Sequence, residues 1–131
     1  MTDFPESHSD LLDGQVATLA TIDSAGLPQL SEVWFAHDGG ELRLSLNTAR
    51  AKTGNLRRNP ACSLLLLDLQ NPSRYLEVRG RARVDPDDDY AFATKIGEKY
   101  GADLRAYDGP GSSRVVVTVE PEKIYPVNMG G

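Results

Sequence analysis

The feature that most constrains this chain is a run that alternates apolar and polar residues, Tyr75-Leu-Glu-Val-Arg-Gly-Arg-Ala-Arg-Val. A period of two puts Leu76, Val78, Gly80, Ala82 and Val84 on one face of a strand, and Glu77, Arg79, Arg81 and Arg83 on the other. Glu41-Leu-Arg-Leu-Ser-Leu-Asn repeats the pattern, with Leu42, Leu44 and Leu46 inward. Gln15-Val-Ala-Thr-Leu-Ala-Thr-Ile-Asp is rich in β-branched residues and stops at the turn signal Asp23-Ser-Ala-Gly-Leu-Pro. A further strand is expected over Gln29 to His37, closed by a hairpin turn at Asp38-Gly-Gly.

Ala61 to Leu69 is almost continuously apolar, which predicts a strand covered on both faces. Asn71-Pro-Ser then turns the chain, and a last strand starts at Arg114 and bends at Pro121. Between these strands two helices are expected. One occupies Thr48 to Asn59, with Thr48 as its hydroxyl N-cap and Asn59-Pro60 as its stop. The other opens on Asp85-Pro-Asp-Asp-Asp, with acidic residues in its first turn, and carries Phe92, Ile96 and Tyr100 at helical spacing. Gly101 to Ser113 reads as a glycine-rich loop. Six antiparallel strands joined by short turns predict a mainly β fold, a barrel or sandwich rather than a parallel sheet.

At 131 residues the chain is expected to form one domain, with residues 1–13 as a lead-in from which Phe4, Leu11 and Leu12 dock. A barrel of this size buries only a moderate share of its surface, so pairing with a second copy would help it. A formal net charge of −5 argues against general nucleic-acid binding, which needs a basic face. Cys62 is the single cysteine and lies in an apolar run, where an inert buried thiol is expected rather than a nucleophile. The acidic start, Met1-Thr-Asp-Phe-Pro-Glu, has no apolar run behind it, and no stretch is long enough to span a bilayer. A cytoplasmic protein without membrane contact is the expectation.

The segment Thr48-Ala-Arg-Ala-Lys-Thr carries the clearest chemical signal. Cations in a helix's first turn oppose its dipole, so Arg50 and Lys52 are poorly placed for the helix itself. A bound phosphate reverses that argument, accepting from the free N–H groups, from Thr48 and Thr53, and from both cations. The alternative is a solvated basic helix with Arg57 and Arg58 as ordinary C-terminal partners of the dipole. The arginine face of Tyr75–Val84 reads first as a solvated strand surface, with an anion cleft or intersubunit ion pairs as alternatives. Trp34, the single tryptophan, reads as core packing or as a platform for a cofactor ring.

Catalytic motifs are missing. The chain has no Gly-x-Ser-x-Gly elbow, no phosphate loop ending Gly-Lys-Ser/Thr and no Gly-x-Gly-x-x-Gly. His8 and His37 lie far apart, and Asp87, Asp88 and Asp89 are better explained as a charge run opening a helix than as a metal site. A bound cofactor would therefore supply any chemistry.

With these residues assembled, the sequence resembles the pyridoxamine-phosphate-oxidase-like split β-barrel superfamily, the FMN-binding split-barrel type. Within it, the resemblance points to the actinobacterial coenzyme F420-dependent reductases of the flavin/deazaflavin oxidoreductase B group. It runs from about Leu11 to Tyr125 and rests on Val16-Ala-Thr-Leu-Ala-Thr-Ile-Asp-Ser-Ala-Gly-Leu-Pro-Gln-Leu-Ser, Arg50-Ala-Lys-Thr-Gly-Asn-Leu-Arg-Arg-Asn-Pro and Tyr75-Leu-Glu-Val-Arg-Gly-Arg-Ala. The resemblance implies a homodimer with two cofactor sites at the subunit interface.

It also implies that the phosphate sits by Arg50, Lys52 and Thr53, with Thr48 and Asn55 nearby, and that the tricyclic ring lies against Gln29 to Val33, including Ser31. Arg57 and Arg58, with Arg79 from the other subunit, are the expected contacts for a polyglutamate tail. The implied reaction is hydride transfer between the deazaflavin C5 and an unsaturated or conjugated organic substrate, with Tyr125 and Ser31 as candidate donors to that substrate. Two alternatives stay open: FMN in the same site, or a non-enzymatic protein that carries a cofactor or binds a tetrapyrrole, for which His37 is the candidate axial ligand.

Overall fold

A computed structural model describes residues 3–130, leaving Met1, Thr2 and Gly131 of the expected domain outside the described residues. Among the described residues, seven strands form one antiparallel sheet: β1 (Ala17–Ile22), β2 (Pro28–Val33), β3 (Phe35–Asp38), β4 (Glu41–Asn47), β5 (Ala61–Leu67), β6 (Arg74–Pro86) and β7 (Arg114–Asn128). Their order across the sheet is β2-β1-β5-β6-β7-β4-β3. Helix α1 (Ala51–Arg58) links β4 to β5, and α2 (Ala91–Tyr100) follows β6.

The count is seven rather than six because the expected strand Gln29–His37 breaks at Trp34. β2 pairs with β1 at one edge of the sheet, while β3 pairs with β4 at the opposite edge. A single residue joins the two edges, so at this corner they come within about 7 Å, two Cα–Cα steps. A sheet with both edges tied to one residue must curl on itself. That is the split barrel.

The corner is pinned by the end of α2. The Trp34 and Tyr100 rings stack with centroids 4.3 Å apart and planes 4° from parallel. The Phe35 N–H donates to the Tyr100 hydroxyl at 3.1 Å, and Lys99 Nζ donates to the Phe35 carbonyl at 2.7 Å.

Alternation fills the barrel as the sequence predicts. Leu42 and Leu44 of β4, Leu64 and Leu66 of β5, and Leu76 and Val78 of β6 are all buried in one cluster with Leu19, Phe35 and Val117. On β6 the opposite residues Arg79, Arg81 and Arg83 are exposed. Gly80 is required by close approach: a Cβ there would lie 2.0 Å from the Glu120 carbonyl oxygen. The register slips at the same place, Arg79 pairing with Lys123 and Gly80 with Pro121, so the bend expected at Pro121 is a bulge that leaves Glu122 unpaired.

Three expectations are corrected. β5 is not covered on both faces: Cys62, Leu64 and Leu66 are buried, while Ala61, Ser63 and Leu65 are half-exposed and Leu67 is exposed. An apolar outer face defeats the sequence rule, which cannot tell an interior from a surface patch. The acidic run Asp85–Asp89 precedes α2 instead of occupying its first turn, because β6 continues to Pro86 and Tyr90 takes a left-handed conformation (φ 59°). Thr48 is not the cap of α1, since the helix starts two residues later than a Thr48 cap requires.

The lead-in is a 3₁₀ helix, Glu6–Asp13, that buries Leu11 and Leu12 and leaves Phe4 packed at the core's margin. Arg74 holds it, reaching Asp68 at 3.0 Å and Asp10 on the helix. Cys62 faces the core, and burial pushes its thiol up to about 11, well away from a reactive thiolate. No helix is long and apolar enough to cross a membrane among the described residues.

Candidate functional site

α1 begins without a carboxylate or hydroxyl cap. Its N-cap is Arg50, whose side chain makes no capping bond, and no acidic residue occupies the first turn. Asn47, the last residue of β4, shapes the approach instead. Its side-chain oxygen accepts from the Ala49 N–H at 2.7 Å, and its carbonyl accepts from the Arg50 N–H and from the Thr53 hydroxyl at 2.7 Å. Thr48 turns away to the Gly101–Ser113 loop, donating its N–H to the Ser113 carbonyl and accepting the Ser113 N–H at 3.0 Å. The result is a short loop, held from both sides, that delivers Arg50 and Lys52 to the helix start.

Both cations line a cavity of about 450 Å³. Its other walls are Glu32, Val33 and Trp34 from the β2–β3 corner, and Ser45, Leu46 and Asn47 from β4. Ile96 of α2, Leu104 and Tyr107 of the following 3₁₀ turn, and Arg114 at the start of β7 complete it. Arg50 is exposed, and Lys52, half-buried, donates to Ser31 Oγ at 3.1 Å. Burial, and secondarily the charge of Arg50, holds the Lys52 ammonium below the ordinary lysine value. Among the described residues neither cation has a salt-bridge partner within 4.0 Å. Two adjacent uncompensated cations beside an uncapped helix N-terminus make a place for an anion.

The other sequence candidates divide. Val33 lines the cavity with Arg50 and Lys52, and Ser31 joins them through Lys52. Thr53 and Asn55 are buried inside the fold. Thr53 spends its hydroxyl on Asn47, and the Asn55 amide donates to Gln29 Oε1 at 2.7 Å and Thr21 Oγ1 at 3.0 Å, tying α1 to β2 and β1. Arg58 reaches back to Asn55 Oδ1 at 2.8 Å, and Arg57 is exposed on the last turn of α1. Arg79 stands on the outer face of β6, paired with Glu77 and 4.7 Å above the Tyr125 ring. It does not line the cavity within one protomer. His37 is also outside the cavity lining, edge-on to Phe4, with Nε2 buried and without a protein partner.

Sequence reasoning missed a second cluster. Asp108, in the glycine-rich loop Gly101–Ser113, takes a fork of hydrogen bonds from Arg114 (Nη2 at 2.8 Å, Nε at 3.1 Å). It also accepts from Asn47 Nδ2 at 2.7 Å and from the Tyr90 hydroxyl. Burial pushes the Asp108 carboxyl upward, but the donors from Arg114, Tyr90 and Asn47 outweigh it and hold the group below the usual carboxylate range. The one sequence hint was an arginine at the head of a Val-Val-Val strand, where a buried charge demands a partner. Ser45 was equally silent. Its Oγ is buried and has no protein partner.

The fit to known proteins follows this geometry. A family profile described as pyridoxamine 5'-phosphate oxidase matches residues 4–128. A solved structure named F420 Reductase is 36% identical, with 93% of this chain and 98% of that one covered and a TM-score of 0.81. A conserved hypothetical protein, Rv2991 from Mycobacterium tuberculosis, superposes at TM-score 0.78 with 24% identity over 95% of this chain and 85% of its own. HutZ, the heme storage protein of Vibrio cholerae, superposes at 0.75 with 16% identity over 96% of each chain, which shows the shared fold alone. The chain belongs to the pyridoxamine 5'-phosphate oxidase family of split β-barrels and groups there with the F420 reductases.

Proposed function

We propose that this protein is a coenzyme F420-dependent oxidoreductase that works as a homodimer. The observation that carries the reading is the uncompensated pair Arg50 and Lys52 opening into the cavity beside the start of α1. The likeness to an F420 reductase over nearly the whole chain supports it. The residues present fit the group. The cations that line the cavity and the free N–H groups at the start of α1 suit its phosphate.

Bound here, the deazaflavin would supply a hydride at C5 for an unsaturated or conjugated organic substrate. The chain's own residues bind, orient and exclude water. Arg50 and Lys52 hold the phosphate, and Ser31 fixes the Lys52 ammonium. Val33, Ile96 and Leu104 give the cavity an apolar wall. Trp34, locked against Tyr100, offers a rigid indole edge rather than a swinging one. Tyr125, a candidate donor to substrate, lies under Arg79 on the outer face and does not line the cavity of its own protomer.

That interface has a physical basis in the protomer. The outer face of β2, β1 and β5 carries Leu30, 68% exposed, beside half-exposed Ala20, Ile22 and Leu65 and exposed Leu67. The register sets Ala20 opposite both Leu30 and Ser63, making the patch continuous. An apolar strand face of this kind is a site for a second copy. Arg79 and the exposed Arg57 and Arg58 would then be available to an anionic tail.

FMN is the second reading, because two cations serve either phosphate. Titration of the cofactor-free protein with F420 and with FMN, followed by fluorescence, decides between them. Tight binding of F420 alone is the expected result. Preference for FMN moves the protein to the flavin branch, and binding of neither removes the phosphate role from Arg50 and Lys52. A cofactor that binds but exchanges no hydride with any donor or acceptor would make the protein a carrier.

A further inference from the structure

We infer that Glu32 and Arg81 form an ion pair between two copies of this chain, one that sets the register of the two outer faces and brings each copy to the mouth of the other's cavity. The inference rests on the homodimer reading above and deepens it.

The strand registers lay out the face. One row across it is Glu32, Thr18, Leu65 and Glu77, and the next is Leu30, Ala20, Ser63 and Arg79. Arg81 stands two residues further along β6, opposite Ala61. The other charges on these strands are settled within the protomer: Arg79 pairs with Glu77, and Arg83 with Asp85. Among the described residues of this face, Glu32 and Arg81 are left without an ion-pair partner. Both are exposed, and the Glu32 carboxylate is held in place by the Thr18 hydroxyl, which donates to it at 2.6 Å.

The two cannot meet inside one protomer. Three strand spacings and four residues of β6 separate them, about 20 Å. In a two-fold dimer, however, a residue that meets a second one is met by it in return. Glu32 and Arg81 meet in this way when the axis crosses the face midway between them. The register puts that midpoint at Ala20 and Ser63, which lie opposite each other on β1 and β5. These are short side chains, so two sheets can approach closely there. Leu30, Ile22 and Leu65 surround the point and would be covered by the partner. Charge and shape therefore select the same centre, and the occupant is a second copy.

An exposed ion pair adds little affinity by itself. Its effect is on register, because copies docked otherwise set a charge against water, apolar surface or a like charge. Glu32 also lines the cavity. The pair therefore stands at the cavity mouth, and the partner subunit's Arg81 helps to wall a site that holds Arg50 and Lys52 of the first copy.

Charge reversal in the full chain tests this, with sedimentation equilibrium as the readout and no cofactor present. Glu32→Arg and Arg81→Glu change exposed residues and should melt like the wild type. Each alone sets like charges together at two places in its homodimer and should raise the dimer Kd at least tenfold. An equimolar mixture of the two variants is the decisive sample. A mixed dimer has opposite charges at both places and should return to the wild-type Kd.

Variants that dimerise like the wild type overturn the inference, as does a mixture no tighter than its components. A monomeric wild type would overturn the homodimer reading together with the pair, whereas a dimeric wild type with indifferent variants overturns the pair alone. Should either reversal lower the melting temperature, neutral variants decide: Glu32→Gln and Arg81→Gln combined should weaken the dimer no more than either does alone, and additive losses overturn the pair.

Discussion

The two helices of this protein begin in opposite ways. α2 is capped by the chain itself: Asp87, 4% exposed, accepts from the Phe92 N–H at 3.1 Å and the Ala93 N–H at 2.9 Å, and Asp89 accepts from the Ala91 N–H. α1 has no such carboxylate and carries Arg50 and Lys52 where α2 is served by acids. A helix N-terminus is electropositive, so α2 is locally relaxed and α1 is locally frustrated. The lesson is a division of labour. Where the helix serves the fold, the chain supplies its own anion. At α1 no carboxylate caps the start, and that is where the proposed phosphate would sit.

The comparison can be broken most severely by giving α1 what α2 has. Arg50→Asp places a favourable cap at the helix start and removes a cation from the cavity. Cofactor affinity should fall by about a hundredfold, while unfolding stability rises by about 0.5–1 kcal/mol. Titration alongside urea denaturation would show the two changes with opposite sign. A loss of both would mean that α1 is not frustrated.

The reverse operation on α2 is Asp87→Ala, which strips two hydrogen bonds from a buried carboxylate. Stability should drop by about 2 kcal/mol, with cofactor affinity retained in the folded fraction. Chemical denaturation monitored by Trp34, which stacks on the end of α2, reads it directly.

Lys52→Ala separates charge from capping. Loss of one charge-assisted contact, roughly 1.5–3 kcal/mol, should weaken cofactor binding by well over tenfold with little change in stability. An unchanged Kd would withdraw the phosphate from Lys52.

The smallest effect is a pH dependence. Burial holds free Lys52 below the ordinary lysine value, so its charged form is disfavoured in the folded state. As pH rises through that lowered value the folded protein loses its proton before the unfolded chain does. Stability therefore rises slightly with pH in that window. Anion binding goes the other way, because it needs the charged form and weakens over the same window. Lys52→Arg, which stays protonated, should flatten the alkaline decline in affinity measured by titration.

Much of the barrel was legible because its information is local. The alternation in Tyr75–Val84 and Glu41–Asn47 names the inward residues one by one; the structure buries Leu42, Leu44, Leu46, Leu76 and Val78 and leaves Ala82 and Val84 half-buried against them. The β5 run failed for a related reason. Local hydrophobicity reports that Leu65 and Leu67 avoid water, but not whether the barrel or another surface covers them. At the cavity, Arg50 and Lys52 were readable because a cation at a helix start contradicts local preference. Thr53 and Asn55 come from the same motif, yet their side chains are consumed by Asn47, Thr21 and Gln29 within the fold.

By itself, then, the sequence determined most of the strands, the inward faces of the alternating ones, the α1 segment and its misplaced cations, since each depends on residues a few positions apart. Tertiary structure alone decided the break at Trp34, which depends on two sheet edges meeting, and the Asn47–Asp108 bond, made between residues 61 positions apart. It likewise decided that Arg114 is neutralised and Ser45 left unpaired. No period or propensity encodes such pairings, because they arise only when closure of the sheet brings distant polar groups together out of water.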